Sequence, residues 1–169
     1  MINKFWQLIA NQLARPFVTS VLLSLAKRTP YCHLYNEDGS LYMGRWWLLK
    51  ERSWFPYAVR VHHIATADDV QDYHDHPYDY RTIILSGWYV ETLPNFIFYR
   101  MTPGRTVAHR AEHFHHISKV APEGVFTLFI YRPTRKHNSW GFLTVDGNGG
   151  VVKKGWKEYA RDKHLKGSK

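Results

Sequence analysis

Residues 73–91 read YHDHPYDYRTIILSGWYVE, which places two histidines, His74 and His76, one residue apart at the start of an aromatic and β-branched run. Such a run is typical of a β-strand. Successive side chains of a strand point to opposite faces, so both histidines are expected to project from one face. Two imidazoles placed in this way can bind one metal ion, and a site built from them needs at least one more ligand from elsewhere in the chain.

Further strand-like segments lie on both sides of this stretch. They are short and are separated by turn signals that carry Gly, Pro, Asn or Asp. These signals are EDGS (37–40), LPN (93–95), TPGR (102–105), APEG (121–124) and DGNGG (146–150). Because no helical pattern separates the segments, an antiparallel sandwich or barrel is favoured over a parallel α/β sheet. We therefore predict an all-β body over residues 30–156.

Residues 1–29 have a different pattern, with apolar residues spaced three to four apart. This spacing predicts one or two amphipathic helices, broken near Pro16. The longest apolar run, residues 17–26, is ten residues long, which is too short to span a bilayer. Arg15 and Pro16 stand where the core of a secretion signal would begin, so a signal peptide is disfavoured as well. We expect the helices to pack on the body or to form a homodimer contact.

Charge and cysteine content limit the classes of function. Cys32 is the single cysteine of the 169 residues, so no internal disulfide is possible and a cytoplasmic location is expected, that of the host if a phage encodes the chain. The net charge is +9 with histidine neutral, and basic residues crowd the C-terminal segment, residues 157–169. Solvated basic tails are common, so binding to nucleic acid is not favoured.

A second group of histidines follows the Pro103–Gly104 turn. The sequence HRAEHFHHIS, residues 109–118, contains four of them: His109, His113, His115 and His116. An isolated His-x-His pair is a weak signal of metal binding, and this second group strengthens it. On a regular strand His113 and His115 share a face, so alternation alone does not decide which of them is the third ligand. His62 and His109 are expected to be pocket, core or surface residues.

Two stretches resemble the two motifs of the cupin superfamily: HDHPYDYRTIILSG (74–87) and TPGRTVAHRAEHFHHI (102–117). The segment from Leu34 to Trp156, with MGRWWLL and WGF, further resembles small cupins of bacteria and their viruses that are described as similar to cysteine dioxygenase. The resemblance covers roughly 120 residues. It implies a jelly-roll sandwich with His74, His76 and His115 as metal ligands, and His113 stays the rival for the third position.

The departures from the cupin pattern concern the metal site. Cupins with four ligands place a glutamate four or five residues after the second histidine, where this chain has Tyr80 and Arg81. The resemblance therefore implies a three-histidine site with open coordination positions, as substrate or dioxygen binding requires. Asp79 lies at another offset, and we interpret it either as an acceptor for a ligand imidazole N–H or as a turn residue that bonds its own backbone.

A three-histidine cupin resembles the thiol dioxygenases, which bind Fe(II). Their Ser-x-His-x-Tyr strand corresponds to TLFIY (127–131), in which Tyr131 alone matches, so cysteine itself is not the expected substrate. The resemblance implies a thiol-type, dioxygenase-like enzyme for a small molecule. It would bind one divalent ion, with Fe(II) favoured and Zn, Ni or Mn as alternatives. Tyr131 is the expected catalytic residue. The expected substrate contacts are Arg81, Arg100, Phe129 and Trp140, with Phe142 beside them.

Two other classes stay open. In a binding or sensing module, a structural zinc would be closed by a fourth protein ligand such as His113. In a cupin isomerase or epimerase for sugar phosphates, several basic residues would converge on the pocket.

Overall fold

The computed structural model describes residues 2–36, 38–68, 72–133 and 140–162. Within these ranges the chain forms three helices and eleven strands. The helices are α1 (Ile2–Leu13), α2 (Pro16–Ala26) and α3 (Trp156–Asp162). The strands are β1 (Leu34–Tyr35), β2 (Leu41–Leu49), β3 (Ala58–Ile64), β4 (Tyr80–Ser86), β5 (Tyr89–Thr92), β6 (Phe98–Met101), β7 (Thr106–His109), β8 (His116–Val120), β9 (Val125–Tyr131), β10 (Gly141–Val145) and β11 (Val151–Gly155).

The first layer is a six-stranded antiparallel sheet in the order β1-β2-β3-β9-β4-β7. Strand β9 lies between β3 and β4, so that Leu128 is opposite Val61 on one side and Ile83 on the other. These three side chains face outward, into a buried apolar cluster beneath the helices. Their neighbours along the strands point the other way, and Thr127 and Phe129 line the interior.

The two N-terminal helices cover the outer face of this sheet. Helix α2 begins at Pro16, whose fixed φ and missing N–H suit the first position of a helix. Ala10 and Ala26 are fully buried against the sheet. The predicted helices and their break at Pro16 are confirmed. Among the described residues, neither helix alone is long and apolar enough to cross a membrane; the two reach that length only as a pair bent by 82°. The expected homodimer contact stays a prediction.

The second layer consists of a three-stranded sheet, β6-β5-β8, and the hairpin β10-β11. His74 joins the two parts, because it forms one β-bridge to His115, just before β8, and another to Phe142 on β10. Ile84 and Val125 of the first layer pack against Tyr89, Met101 and Ile117 of the second. The predicted all-β sandwich of two antiparallel layers is confirmed.

Helix α3 occupies part of the segment for which we predicted a basic tail. Tyr159 is 1% exposed, its ring stacks on Phe142 with centroids 3.8 Å apart, and its hydroxyl donates to Asp72 over 2.8 Å. The chain thus continues to pack on the sandwich after β11. Residues 163–169 lie outside the described residues, and the three predicted segments 1–29, 30–156 and 157–169 stay predictions.

Candidate metal centre and its cavity

The histidine-bearing parts of the two predicted motifs, residues 74–76 and 111–115, lie side by side. The backbone N–H of His74 donates to the carbonyl of His115 over 2.9 Å, and that of His115 donates back over 3.0 Å. The backbone N–H of His76 donates to the carbonyl of Ala111 over 3.0 Å. Residues 35 and 41 positions apart are thereby held in register by main-chain hydrogen bonds, before any side chain takes part.

His74, His76 and His115, hereafter the histidine triad, bring their ring nitrogens together within 4.8 Å of one another. The Nε2 atoms of His76 and His115 are 2.9 Å apart. Two nitrogens that bind one ion at a right angle, each about 2.05 Å from it, are separated by roughly 2.9 Å. The donor set and this distance fit a single divalent transition-metal ion.

Burial sets the protonation state of the triad. Removal from water lowers the pKa of His74, and it lowers the pKa of His76 and of His115 well below the usual range for histidine. All three rings are therefore neutral at neutral pH. Neutral imidazole, which offers a lone pair, is the form of histidine that binds metals.

Two acidic residues support the triad from behind. Glu91, on β5 and 2% exposed, accepts a hydrogen bond from Nδ1 of His115 over 2.6 Å. Asp68 places Oδ2 3.7 Å from Nδ1 of His74 and accepts from the backbone N–H of Ile117 over 2.8 Å. Neither residue was among the predicted site residues. The one signal for Glu91 in the sequence is a lone carboxylate within the strand YVET, since such groups are rarely buried without a partner.

Asp79, predicted as a possible acceptor for a ligand imidazole, has a different role. Its Oδ1 atom accepts from the backbone N–H of Ala111 over 2.9 Å. Because the carbonyl of Ala111 in turn accepts from His76, Asp79 fixes the loop that aligns the two motifs. The placement corrects the prediction: Asp79 binds the backbone of another segment, neither a ligand ring nor its own backbone.

A cavity of about 510 Å³, hereafter the central cavity, opens in front of the triad. Phe129 and Trp140, predicted as substrate contacts, both line it, as does Phe142. The ring of Phe129 stacks on His62 and on Tyr80, with centroid distances of 4.9 and 4.7 Å. The hydroxyl of Tyr80, a residue 5% exposed, lies 3.5 Å from Nε2 of His115. Tyr80 thus places a hydroxyl group beside the triad.

The arginines predicted to contact substrate lie elsewhere. Arg81 follows Tyr80, which faces the cavity, so alternation turns Arg81 outward, where it stacks over Trp6 at 4.7 Å. Arg100, on edge strand β6, stacks over Trp88 at 4.4 Å. The placement corrects both predictions. Of the described residues that line the central cavity, two are arginines, Arg45 and Arg60.

Tyr131, predicted as the catalytic residue, is held at one end of the sheet. Its hydroxyl donates to Oε1 of Glu51 over 2.6 Å and accepts from Arg60, and its ring packs on Tyr78 with centroids 4.8 Å apart. Phe129 lies between Tyr131 and the triad along β9. Burial raises the pKa of Tyr131, so its hydroxyl stays protonated. The structure places it among structural partners, away from the metal centre.

A second group, hereafter the outer cluster, consists of Glu91, His109 and His113. The Nε2 atoms of His109 and His113 lie 3.4 and 3.9 Å from Oε1 of Glu91, and the two rings stack with centroids 4.1 Å apart. Burial lowers the pKa of His109 to about 4. The structure therefore brings His115 to His74 and His76, and it brings the rival, His113, to the outer cluster.

No family model and no curated protein match the sequence. Similar solved structures include the DMSP lyase DddQ from Ruegeria pomeroyi, at 18% identity and a TM-score of 0.49, over 72% of this chain and 62% of that one. A cupin-2 domain from Rhodospirillum rubrum matches at 11% identity and a TM-score of 0.49, over 78% of this chain and 79% of that one. Ectoine synthase from P. lautus matches at 12% identity and a TM-score of 0.47, over 60% of this chain and 69% of that one. The match to another DMSP lyase structure covers 58% of the length of that lyase chain.

Likenesses at this level do not say what this chain binds or catalyses. The strand order confirms the predicted antiparallel sandwich. The closer resemblance to cysteine dioxygenase stays a prediction.

Proposed function

We propose that this chain is a mononuclear metal enzyme of the cupin type that oxidises a small molecule with dioxygen. In this proposal His74, His76 and His115 hold one divalent ion, with Fe(II) first and Zn, Ni or Mn as alternatives. The observation that carries the proposal is the composition of the triad: three neutral histidine nitrogens, without a carboxylate among them, face a cavity of about 510 Å³. A site with three protein ligands leaves coordination positions for small molecules.

When bound, the ion would supply Lewis acidity and, as Fe(II), electrons for dioxygen. The protein would supply the orientation of its ligands. Glu91 holds the proton of His115 on Nδ1, so Nε2 presents its lone pair to the cavity. The aromatic walls of the cavity would exclude water from the reacting groups, which strengthens electrostatic interactions there.

We propose that Tyr80, and not the predicted Tyr131, orients the substrate or dioxygen. Burial raises the pKa of Tyr80 well above its usual range, so the hydroxyl stays protonated and can donate a hydrogen bond. Its position 3.5 Å from Nε2 of His115 places this donor next to the proposed open positions. We propose that it binds an oxygen atom of the substrate or of dioxygen.

The cavity walls define the class of substrate. Phe129, Trp140 and Phe142 form an apolar surface around the triad. Arg60 also lines the cavity, and its guanidinium stacks at 4.4 Å over Tyr31 and over Trp47. We propose a small substrate with an apolar body whose anionic group points toward Arg60 rather than toward the predicted Arg81 or Arg100.

The two alternatives have less support. A structural zinc site needs a fourth protein ligand, and among the described residues the group at the triad contains three, with His113 in the outer cluster. An isomerase for sugar phosphates needs several basic residues in the pocket, whereas the described lining contains two permanently charged ones, Arg45 and Arg60.

Oxygen consumption tests the proposal. Metal-stripped protein is loaded with Fe(II) without air, and oxygen uptake is then measured with a panel of small thiols and small aromatic carboxylates. We expect uptake that needs Fe(II), that is lost in His76→Ala and that is kept in His63→Ala, a change at a histidine stacked on Phe126 outside the central cavity. Uptake that is the same in His76→Ala as in the unmodified protein would contradict the proposal, as would zinc held by four protein ligands in X-ray absorption spectra.

A further inference from the structure

The outer cluster joins three elements that are distant in sequence. Glu91 lies on β5 of the second layer, His109 ends β7 at the edge of the first layer, and His113 lies in the loop that follows. Within the described chain, β6 and β7 are edge strands that are not hydrogen-bonded to each other. The cluster faces a lateral cavity of about 900 Å³, which Tyr99 and Arg105 also line. The triad, by contrast, faces the central cavity.

The histidines of the outer cluster carry polar atoms that lack hydrogen bonds. The side chain of His109 is 9% exposed, and the Nε2 atoms of both His109 and His113 are buried without a hydrogen-bond partner among the described residues. A buried polar atom without a partner destabilises the folded state, so such atoms require an explanation. Both of these atoms point toward the carboxylate of Glu91, which is 2% exposed.

We propose that Glu91, His109 and His113 form a second site for a divalent transition-metal ion, reached from the lateral cavity. Ligand atoms at about 2.0–2.2 Å from one ion lie roughly 3–4 Å apart. The separations of 3.4 and 3.9 Å from Oε1 of Glu91 to the two nitrogens fall in this range. Two imidazoles and a carboxylate suit Zn²⁺, Fe²⁺ or Co²⁺ rather than Ca²⁺ or Mg²⁺.

Glu91 connects this site to the triad. Its Oε1 atom lies 2.6 Å from Nδ1 of His115, so one carboxylate would bind the outer ion and orient a ligand of the inner one. A cation on Glu91 reduces the negative charge that His115 experiences and makes that ring a poorer ligand. The two ions therefore bind with negative coupling, which by linkage is the same in both directions.

Metal titration of the full chain tests the site without any substrate. Metal-stripped protein is titrated with Zn²⁺ by calorimetry and with Co²⁺ by absorption spectroscopy. We expect two equivalents in the unmodified protein, the second bound more weakly, and one equivalent in each of His113→Ala, His109→Gln and His76→Ala. His63→Ala, the matched control, keeps two. Circular dichroism establishes that each variant is folded, and the partly exposed His113 keeps the test valid if His109→Gln does not fold.

The variants separate this proposal from the proposed function. A single equivalent that is lost in His76→Ala and kept in His113→Ala would overturn the second site and leave the triad as the metal centre. A single equivalent that is lost in His113→Ala and kept in His76→Ala would support the outer site and remove the basis of the proposed function. Loss of the same single equivalent in both variants, or no binding at all, would overturn the inference.

Discussion

The Nδ1 atom of His115 lies 2.6 Å from Oε1 of Glu91, and the two residues are 6% and 2% exposed. A carboxylate only accepts hydrogen bonds, so the proton of the ring is on Nδ1 and the lone pair of Nε2 faces the central cavity. The tautomer of a proposed metal ligand is thus fixed by a residue that lies between the two histidine motifs and belongs to neither.

Glu91→Gln tests this relationship. An amide is neutral and can present its NH₂ group to the ring, so the change weakens the preference for the metal-binding tautomer. We expect the affinity of the triad for Zn²⁺ to fall by about 10–100-fold. The measurement is a competition with a fluorescent chelator in a His113→Ala background, which removes a ligand of the outer cluster. Glu123→Gln, at an exposed turn, serves as the control, and equal affinities in the two variants would contradict the assignment.

Tyr80→Phe tests the hydroxyl beside the triad. The change removes the proposed hydrogen-bond donor and keeps the ring that stacks on Phe129. We expect the turnover of the substrate found by oxygen uptake to fall about 100-fold, while the metal content stays the same. Tyr35→Phe makes the same chemical change on a residue that is 61% exposed, and it should leave turnover as it is. Loss of metal together with activity would show that the phenol acts as a ligand or supports the fold.

Asp75→Asn tests how the histidine motif is held in the second layer. Asp75 is 2% exposed; its Oδ1 atom accepts from the backbone N–H of Gly141 over 2.6 Å, and its Oδ2 atom pairs with Lys153. The carboxylate thereby joins residues 73–76 to β10 and β11. Because hydrogen bonds to charged groups contribute more than neutral ones, we expect the free energy of unfolding to fall by about 1.5–3 kcal/mol.

Urea unfolding of Asp75→Asn, of Lys153→Met and of the double variant separates the ion pair from the backbone bond. A coupling energy near zero would mean that Lys153 adds nothing and that the bond to Gly141 accounts for the loss. A cost below about 0.5 kcal/mol for Asp75→Asn, the size of an ordinary surface change, would refute the structural role.

The local features of the fold could be predicted from the sequence because short-range geometry sets them. Pro16 starts a helix through its own φ, and turn residues separate the strands. Gly87, which ends the first histidine motif, has a φ of 74°, a conformation that glycine adopts without strain. Such features need no knowledge of distant partners.

The site was predicted less completely, for two physical reasons. Alternation puts His113 and His115 on one face. The structure separates them because residues 110–115 are not a regular strand: β8 begins at His116, and the backbone N–H of His113 donates to the carbonyl of Arg110 in a turn. The second reason is that the sequence does not show which distant residues will be hydrogen-bond partners of a side chain. Tyr131 bonds Glu51, 80 positions away, and Glu91 reaches His115 across neighbouring strands. The position of Arg81, by contrast, follows from the sequence. It is the neighbour of Tyr80 on one strand, so its side chain points to the opposite face, away from the cavity that Tyr80 lines.

The buried ring of His62 predicts how the metal-free protein responds to acid. Burial lowers the pKa of His62 well below its ordinary value of about 6.5, and the ring stacks on Phe129 inside the sandwich. Below pH 6.5 the unfolded chain takes up a proton that the folded chain refuses, so this residue makes unfolding easier as the pH falls, by up to about 1.4 kcal/mol per pH unit. Above pH 6.5 the ring of His62 is neutral in both states and does not lower the free energy of unfolding.

His62→Phe keeps an aromatic ring and removes the titrating group, so the loss of stability between pH 7 and pH 5 should be about 2 kcal/mol smaller than in the unmodified protein. Urea unfolding with chelator at pH 5, 6 and 7 measures it, with His63→Phe, at a partly exposed ring, as the control. If the two variants show the same dependence on pH as the unmodified protein, the ring of His62 is accessible to protons in the folded state, and the sandwich is more open at that point than its packing indicates.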